Sequence, residues 1–258
     1  MEIGVRIASA QLQGRIRSRR QIVAGPLVGL LHDSDLWFLS GAVAAEPGTA
    51  FDPEEVPWAL DTIRQAFAAE GRWLSVELIE EASFGLADAL AANGMTIAAR
   101  PPLLVLEPAD LVLPDLPEGV TVSVVSSAGE LAEADAVAAS AYEMALGERS
   151  FQPDPADGGN VLVHVDGAPA ATAAWTAMAD GVTEVAGVGT LPSHRRRGLG
   201  AIATAYATRH AFEDAGATLA WLTPGDDGAD RIYRRLGYAP KATAVHLGDP
   251  GGHLEDLR

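Results

Sequence analysis

Residues 182–206, VTEVAGVGTLPSHRRRGLGAIATAY, constrain this chain more than any other stretch. An apolar run spaced by Gly187 and Gly189 ends at Pro192. Arg195, Arg196 and Arg197 follow, then Gly198-Leu199-Gly200, then an Ala-rich run with no breaker. This order predicts strand, turn and helix. A helix that starts near Leu199 leaves its first backbone N–H groups without intrahelical partners, pointing back into the turn. The helix dipole adds partial positive charge there. Gly198 and Gly200 carry no Cβ, so the backbone can curl and approach a ligand. The guanidinium groups supply charge and forked donors suited to phosphate oxygens. The expectation is a cradle for a phosphate or pyrophosphate. The competing reading is an ordinary turn with solvated arginines. A long strand before it, a long helix after it and a basic cluster in a chain whose net charge is −17 argue against that.

Known phosphate loops separate cleanly here. Nothing matches the GxxxxGK[ST] loop, and Gly198-Leu199-Gly200 with Ile202 and Ala203 only loosely fits GxGxxG. Arg195-Arg196-Arg197-Gly198-Leu199-Gly200 does resemble the acyl-CoA loop of the GNAT N-acetyltransferases, [QR]-x-x-G-x-[GA], at every fixed position. A proline just ahead, here Pro192, also belongs to that pattern. A second family signature, N-x-x-A-x-x-x-Y before a Gly-aromatic pair, is matched by Ala229, Tyr233, Gly237 and Tyr238. Asp226 departs from it, standing where the family often has Asn; a carboxylate accepts from an amide but cannot donate.

The resemblance covers roughly residues 120–247. It implies an α+β fold, a mixed, mostly antiparallel sheet flanked by helices. It further implies acetyl-CoA lying in a splay between the central strand and the strand from Leu219. The pantetheine arm would pair with Val188, Gly189 and Thr190. The pyrophosphate would rest on Arg195, Arg196, Arg197, Gly198, Leu199, Gly200 and Ala201, with Asp226 near the arm. The implied reaction is acetyl transfer to a primary amine by direct attack.

Two residues carry the chemistry in this reading. A phenol near the departing sulfur can donate a proton, help worth about 10²–10⁴ in rate, and Tyr233 is the candidate. The alternative is a ring packed under the sheet. The amine must lose a proton, and Glu184 is the one acid within the central strand. Period-two alternation would put it on the side of Ala186, Val188 and Thr190. A solvent-facing role for Glu184 and a chain of waters as base stay open. Glu143, His164 and His194 are weaker candidates. No metal is expected.

Composition excludes other classes. The chain has 258 residues and no cysteine, so disulfides, thiolate metal sites and cysteine nucleophiles are absent. Thirty-five acids against 18 bases argue against nucleic acid, which is bound through Lys and Arg. The excess suits attraction of a cationic amine, a small molecule or a peptide. No run is apolar and long enough to span a membrane, and residues 1–20 lack the pattern of a secretory signal. A cytoplasmic protein is expected.

Along the chain, residues 1–24 are polar and predict a solvated strand or helix face. Residues 26–45 predict strands interrupted by His32-Asp33-Ser34-Asp35. A helix is expected over 57–70, a strand over 73–79, a helix over 83–92 and a buried strand over 103–106. Pro114, Pro117 and Gly119 mark a boundary, giving domains 1–115 and 119–258. Beyond it come a strand over 120–125 and a helix over 127–144 opened by a capping box. Asp166-Gly167 and Asp180-Gly181 signal hairpins. Antiparallel hairpins speak against a third reading, a parallel nucleotide-binding sheet. Arg64 to Gly71 can be laid on Arg209 to Gly216, with Arg, Ala, Phe and Gly coinciding. That suggests two related copies, the first lacking the loop: residues 50–55 carry acids and no Gly. Such a first half would cover the substrate cleft or form a homodimer contact. The alternative to an enzyme is a non-catalytic acyl-CoA-sensing module.

Overall fold

The computed structural model describes residues 2–34, 36–144, 149–252 and 254. The first elements are α1 (Ile3–Ile16), β1 (Arg20–Ala24), β2 (Leu27–Leu31), β3 (Gly41–Ala44), α2 (Val56–Ala69) and β4 (Ser75–Ile79). There follow α3 (Leu86–Ala92), β5 (Thr96–Ala99), β6 (Pro102–Leu106), β7 (Val120–Val124) and α4 (Ala128–Tyr142). The rest are β8 (Gly158–Val165), β9 (Ala168–Thr176), β10 (Val182–Thr190), α5 (Leu199–Glu213), β11 (Leu219–Leu222), α6 (Asp227–Arg235) and β12 (Ala239–Gly248). Among the described residues no helix is long and apolar enough to cross a membrane.

The chain forms two units, and the division differs from a cut at 115–119. One comprises residues 1–103 and 240–258, the other residues 104–239. The reason lies in strand pairing. β12 pairs antiparallel with β4, from Ala244↔Ile79 to Gly248↔Ser75, and with β5. Leu104, Val105 and Leu106 of β6 pair antiparallel with Leu222, Trp221 and Ala220 of β11. Each unit therefore takes a strand from a distant part of the sequence. Proline spacing marks the connecting segment but carries no information about which sheet a flanking strand joins.

In the first unit β1, β2 and β3 pair antiparallel in order, and β3 pairs parallel with β4 at Ala42↔Val76. Helix α2 makes that crossover. Its residues Val56, Ala59, Leu60, Ile63 and Phe67 recur at three- and four-residue spacing and are all buried. They pack with Leu27, Leu78, Val245 and Leu247. The expectation for residues 1–24 is corrected: α1 is a helix whose Ile7 is fully buried and whose Gln11 is buried too. β5, outside the expected elements, starts two residues after Asn93-Gly94. β2 and β3 flank the expected interruption, of which Asp35 lies outside the described residues.

In the second unit β7, β8, β9 and β10 form an antiparallel meander. Its hairpins turn at Asp166-Gly167 (φ 51° and 81°) and Asp180-Gly181 (φ 49° and 70°), left-handed pairs of the kind two-residue hairpin loops require. β10 then pairs parallel with β11 across α5. Val161, Val163, Ala173 and Val185 pack with Leu199, Ile202 and Ala203 of α5, whereas Leu162 packs with Leu131, Ala134 and Val137 of α4. Neighbouring strand residues point to opposite faces, so α4 and α5 cover opposite sides of this sheet. The capping box forms: Ser127 Oγ accepts from Glu130 N–H, and Glu130 accepts from Ser126.

From β8 onward the second unit repeats the pairing order of the first, antiparallel, antiparallel, parallel across a helix, antiparallel, with β7 added ahead of it. The segments aligned in the sequence close equivalent helices. α2 ends before Gly71 (φ 68°) and α5 before Gly216 (φ 77°), each followed by the parallel strand.

Candidate functional site

The site is built where β10 parts from β11. Their ladder runs Val182↔Leu219, Thr183↔Ala220, Glu184↔Trp221 and stops. Opposite β9 the register skips between Ala186 and Gly189, and Gly187 takes φ 62°. This is a β-bulge, with one residue too many on β10. Glycine inside a strand is its sequence signal, and Gly187 and Gly189 carried it.

The bulge overturns one expectation. Val185 lies with the α5 core, so Glu184 faces α4. Beyond the bulge the faces exchange. A Cβ on Gly189 would lie 3.0 Å from Ala141 Cβ and 3.5 Å from Ala138 Cα, both on α4. A Cβ on Gly200 of α5 would lie 3.6 Å from Thr190 Oγ1 and 3.9 Å from Val188 Cγ1. Val188 and Thr190 therefore face α5, and Glu184 is not on their side. It shares its face with Ala186 and Gly189. The Glu184 side chain is half-buried, and its N–H donates to Thr176 Oγ1 at 3.1 Å.

The loop after β10 is shaped by its backbone. Residues Pro192–His194 make a single 3-10 turn. Arg196 then takes φ 64°, costly for a side-chain-bearing residue. Gly198, at φ 80°, forms the N-cap of α5 with no side chain to cap it. The first helical bond is Ile202 N–H to Gly198 C=O, 3.1 Å. The N–H groups of Leu199, Gly200 and Ala201 are left for an outside acceptor. Leu199 is 2 % exposed and anchors the helix start in the core, so it offers backbone only.

The three arginines divide their work. Arg195 Nη2 donates to Ala141 C=O at 2.9 Å and Nε to Thr190 C=O at 3.4 Å. It ties the last turn of α4 to the end of β10. Arg196 and Arg197 are exposed. Among the described residues neither guanidinium is hydrogen-bonded or ion-paired.

α6 brings in Tyr233. Asp226 is its N-cap: Oδ1 accepts from Ala229 N–H at 2.7 Å. That explains an acid at this position without reference to any ligand. Tyr233 is buried in the core beside Tyr238, ring centroids 6.2 Å apart. Tyr238 Oη is hydrogen-bonded to Thr208 Oγ1 at 2.7 Å. The Tyr233 hydroxyl makes no hydrogen bond to a described residue. Burial pushes its pKa up to about 12, with Tyr142 and Asp226 adding to the rise. It holds its proton at neutral pH.

Tyr142, not singled out by the sequence, stands at the end of α4 and donates to Val188 C=O at 3.0 Å. The structure thus gathers Val188, Thr190, Arg195 and Gly200 at one end of β10, with Tyr142 joining them and Asp226 beside Tyr233. Of the weaker candidates, Glu143 and His194 adjoin Tyr142 and Arg195 in the sequence, and His164 lies apart. His164 is on β8, paired with Thr121 of β7, two strands from β10. Glu143 is exposed beyond α4 at φ 56°, and His194 bonds its neighbour Ser193 at 2.9 Å. Among the described residues no group of three or more His, Asp or Glu could hold a metal ion.

Residues 130–238 match the model of the acetyltransferase (GNAT) family. Among solved structures the chain is similar to a GCN5-related N-acetyltransferase from Kribbella flavida, at 73 % identity over 100 % of both chains and a TM-score of 0.92. It shares its fold with a GCN5-related N-acetyltransferase from Sphaerobacter thermophilus, at 15 % identity over 87 % of this chain and 76 % of that one, TM-score 0.62. It does so too with a tandem GNAT protein from the clavulanic acid biosynthesis pathway, at 16 % identity over 89 % and 80 %, TM-score 0.59. Comparison with the curated proteins gives no match.

Proposed function

Because the chain belongs to the GNAT family of acetyltransferases, we propose that this acyltransferase moves an acetyl group from acetyl-CoA to a primary amine by direct attack. One observation carries the reading: beyond the end of the β10–β11 ladder, the first N–H groups of α5, at Leu199, Gly200 and Ala201, have no helical partner, and the same segment carries the exposed Arg196 and Arg197. An anion gains there from dipole, amides and charge together. The residues fit the pyrophosphate of acetyl-CoA, whose thioester supplies the activated acyl group when bound. The backbone of Val188, Gly189 and Thr190 is free of a β11 partner and suits an extended amide-bearing arm.

The bulge supports a division of the chemistry between the two faces of the sheet. Glu184, facing α4, accepts the proton of the incoming amine, directly or through water. Tyr233, in the α5 core, gives a proton to the departing sulfur; as a phenol it carries that proton at neutral pH. The acceptor, a small-molecule or peptide amine, approaches from the α4 side. We further propose that the first unit is a degenerate copy of the second, supported by the recurring pairing order.

Arg196→Glu combined with Gly198→Glu is expected to abolish CoA binding in calorimetry; unchanged affinity refutes the cradle. Tyr233→Phe is expected to lower kcat by about 10²-fold with CoA affinity nearly intact. Release of free thiol, screened over amines, separates catalysis from ligand sensing.

A further inference from the structure

We infer that Tyr142 occupies a backbone acceptor that an acyl-CoA carrier must take over, and so sets the affinity for that carrier. The inference rests on the acyl-CoA reading above.

The acceptor is the Val188 carbonyl. Strand pairing fixes its neighbours. The β10–β11 ladder ends at Glu184, and the β9 register passes over Gly187 and Val188 between Ala186↔Ala174 and Gly189↔Thr172. The Val188 peptide therefore sits outside both ladders. A carbonyl in a half-buried position needs a donor, and the Tyr142 hydroxyl supplies one at 3.0 Å. The phenol is placed by the end of α4. That end is itself fixed to β10 from two sides, by Arg195 on the Ala141 carbonyl and by the close approach of Ala141 to Gly189.

The bond is made by a residue that is 48 % exposed. Such a side chain can leave without opening a core. It also stands near the other phenol of the site, since Tyr142 contributes to the raised pKa of Tyr233. An extended arm that adds to the free edge of β10 through its amides competes for the Val188 carbonyl. The Tyr142 hydroxyl then gives up the better of the carbonyl's two acceptor directions. Binding thus exchanges one hydrogen bond for another rather than filling a vacant acceptor.

The test is calorimetric titration of CoA into the intact protein and into Tyr142→Phe. Removing the hydroxyl removes the competitor. A net hydrogen bond of about 1 kcal/mol corresponds to Kd lower by roughly fivefold in the variant. Equal or weaker binding by Tyr142→Phe, with the parent still binding CoA, overturns the competition while leaving the acyl-CoA reading intact. A parent that does not bind CoA overturns the reading and this inference together. As a second measurement, 3-fluorotyrosine at position 142 should shift its ¹⁹F resonance as CoA saturates the protein. A resonance unmoved at saturation shows that the phenol stays on Val188, against the inference.

Discussion

Replacing Asp226 by Ala and by Asn separates a cap from a charge at the helix that carries Tyr233. Asp226 Oδ1 accepts the Ala229 N–H at 2.7 Å, and a Cβ on Gly228 would come within 2.9 Å of the same oxygen, so the turn is closed tightly around the carboxylate. α6 has nine residues, too few to be stable alone. Its charges already complement the dipole, with Asp227 and Asp230 in the first turn and Arg234 and Arg235 in the last. Loss of the cap costs about 1 kcal/mol, and loss of the negative charge roughly 0.3–1 kcal/mol more. Asp226→Ala should lose both contributions, about 1.5 kcal/mol, and lower Tm by roughly 3–6 °C in a chain of this size. Asp226→Asn keeps an oxygen for Ala229 and should lose only the smaller part. Both variants remove a charge that raises the Tyr233 pKa, so that pKa should fall in each. Urea denaturation followed by circular dichroism gives the stabilities. Amide exchange in α6 localises them, with protection reduced about tenfold in the Ala variant. An Ala variant as stable as the parent, or an Asn variant as damaged as Ala, refutes the capping argument.

Two further outcomes follow from the geometry. Gly189→Val places branched carbon where even a Cβ lies 3.0 Å from Ala141 Cβ; it should destabilise by about 1–3 kcal/mol, and a thermal midpoint equal to the parent's would refute the close packing of α4 on β10. Tyr233 titrates near 12 when folded against 10 when unfolded, so its stabilising effect is complete below pH 10 and is lost as pH rises through 12. The loss is about 3 kcal/mol, and urea midpoints at pH 9 and 11.5 should converge in Tyr233→Phe relative to the parent.

Local signals carried far in this sequence. Arg195 to Gly200 announced a turn into a helix because glycine and the unsatisfied first amides are properties of the segment itself. Asp166-Gly167 and Asp180-Gly181 announced hairpins for the same reason. Ser127 and Glu130 marked the start of α4 to the residue. What depends on distant partners stayed hidden. Period-two counting put Glu184 beside Val188, since an inserted residue at Gly187 is invisible to alternation. Asp226 looked like a departure from a ligand-binding Asn until its carboxylate was seen to cap α6. Arg195 matched a phosphate motif, yet its guanidinium is engaged by two carbonyls. Tyr142 carried no local pattern at all; its bond to Val188 spans 46 positions. The exchange of β6 and β12 between units is of this kind, since nothing in either strand names its partner.

That exchange bears on synthesis. Residues 1–103 are made early, but the strand that pairs with both β4 and β5 is complete only at Gly248. At a ribosomal pace of about 5–20 residues per second, the nascent first sheet waits on the order of ten seconds or more with one edge bare. Unpaired edges template aggregation. During that interval the exposed backbone of β4 is the natural foothold for a chaperone, and a translation pause between residues 103 and 239 would lengthen the hazard.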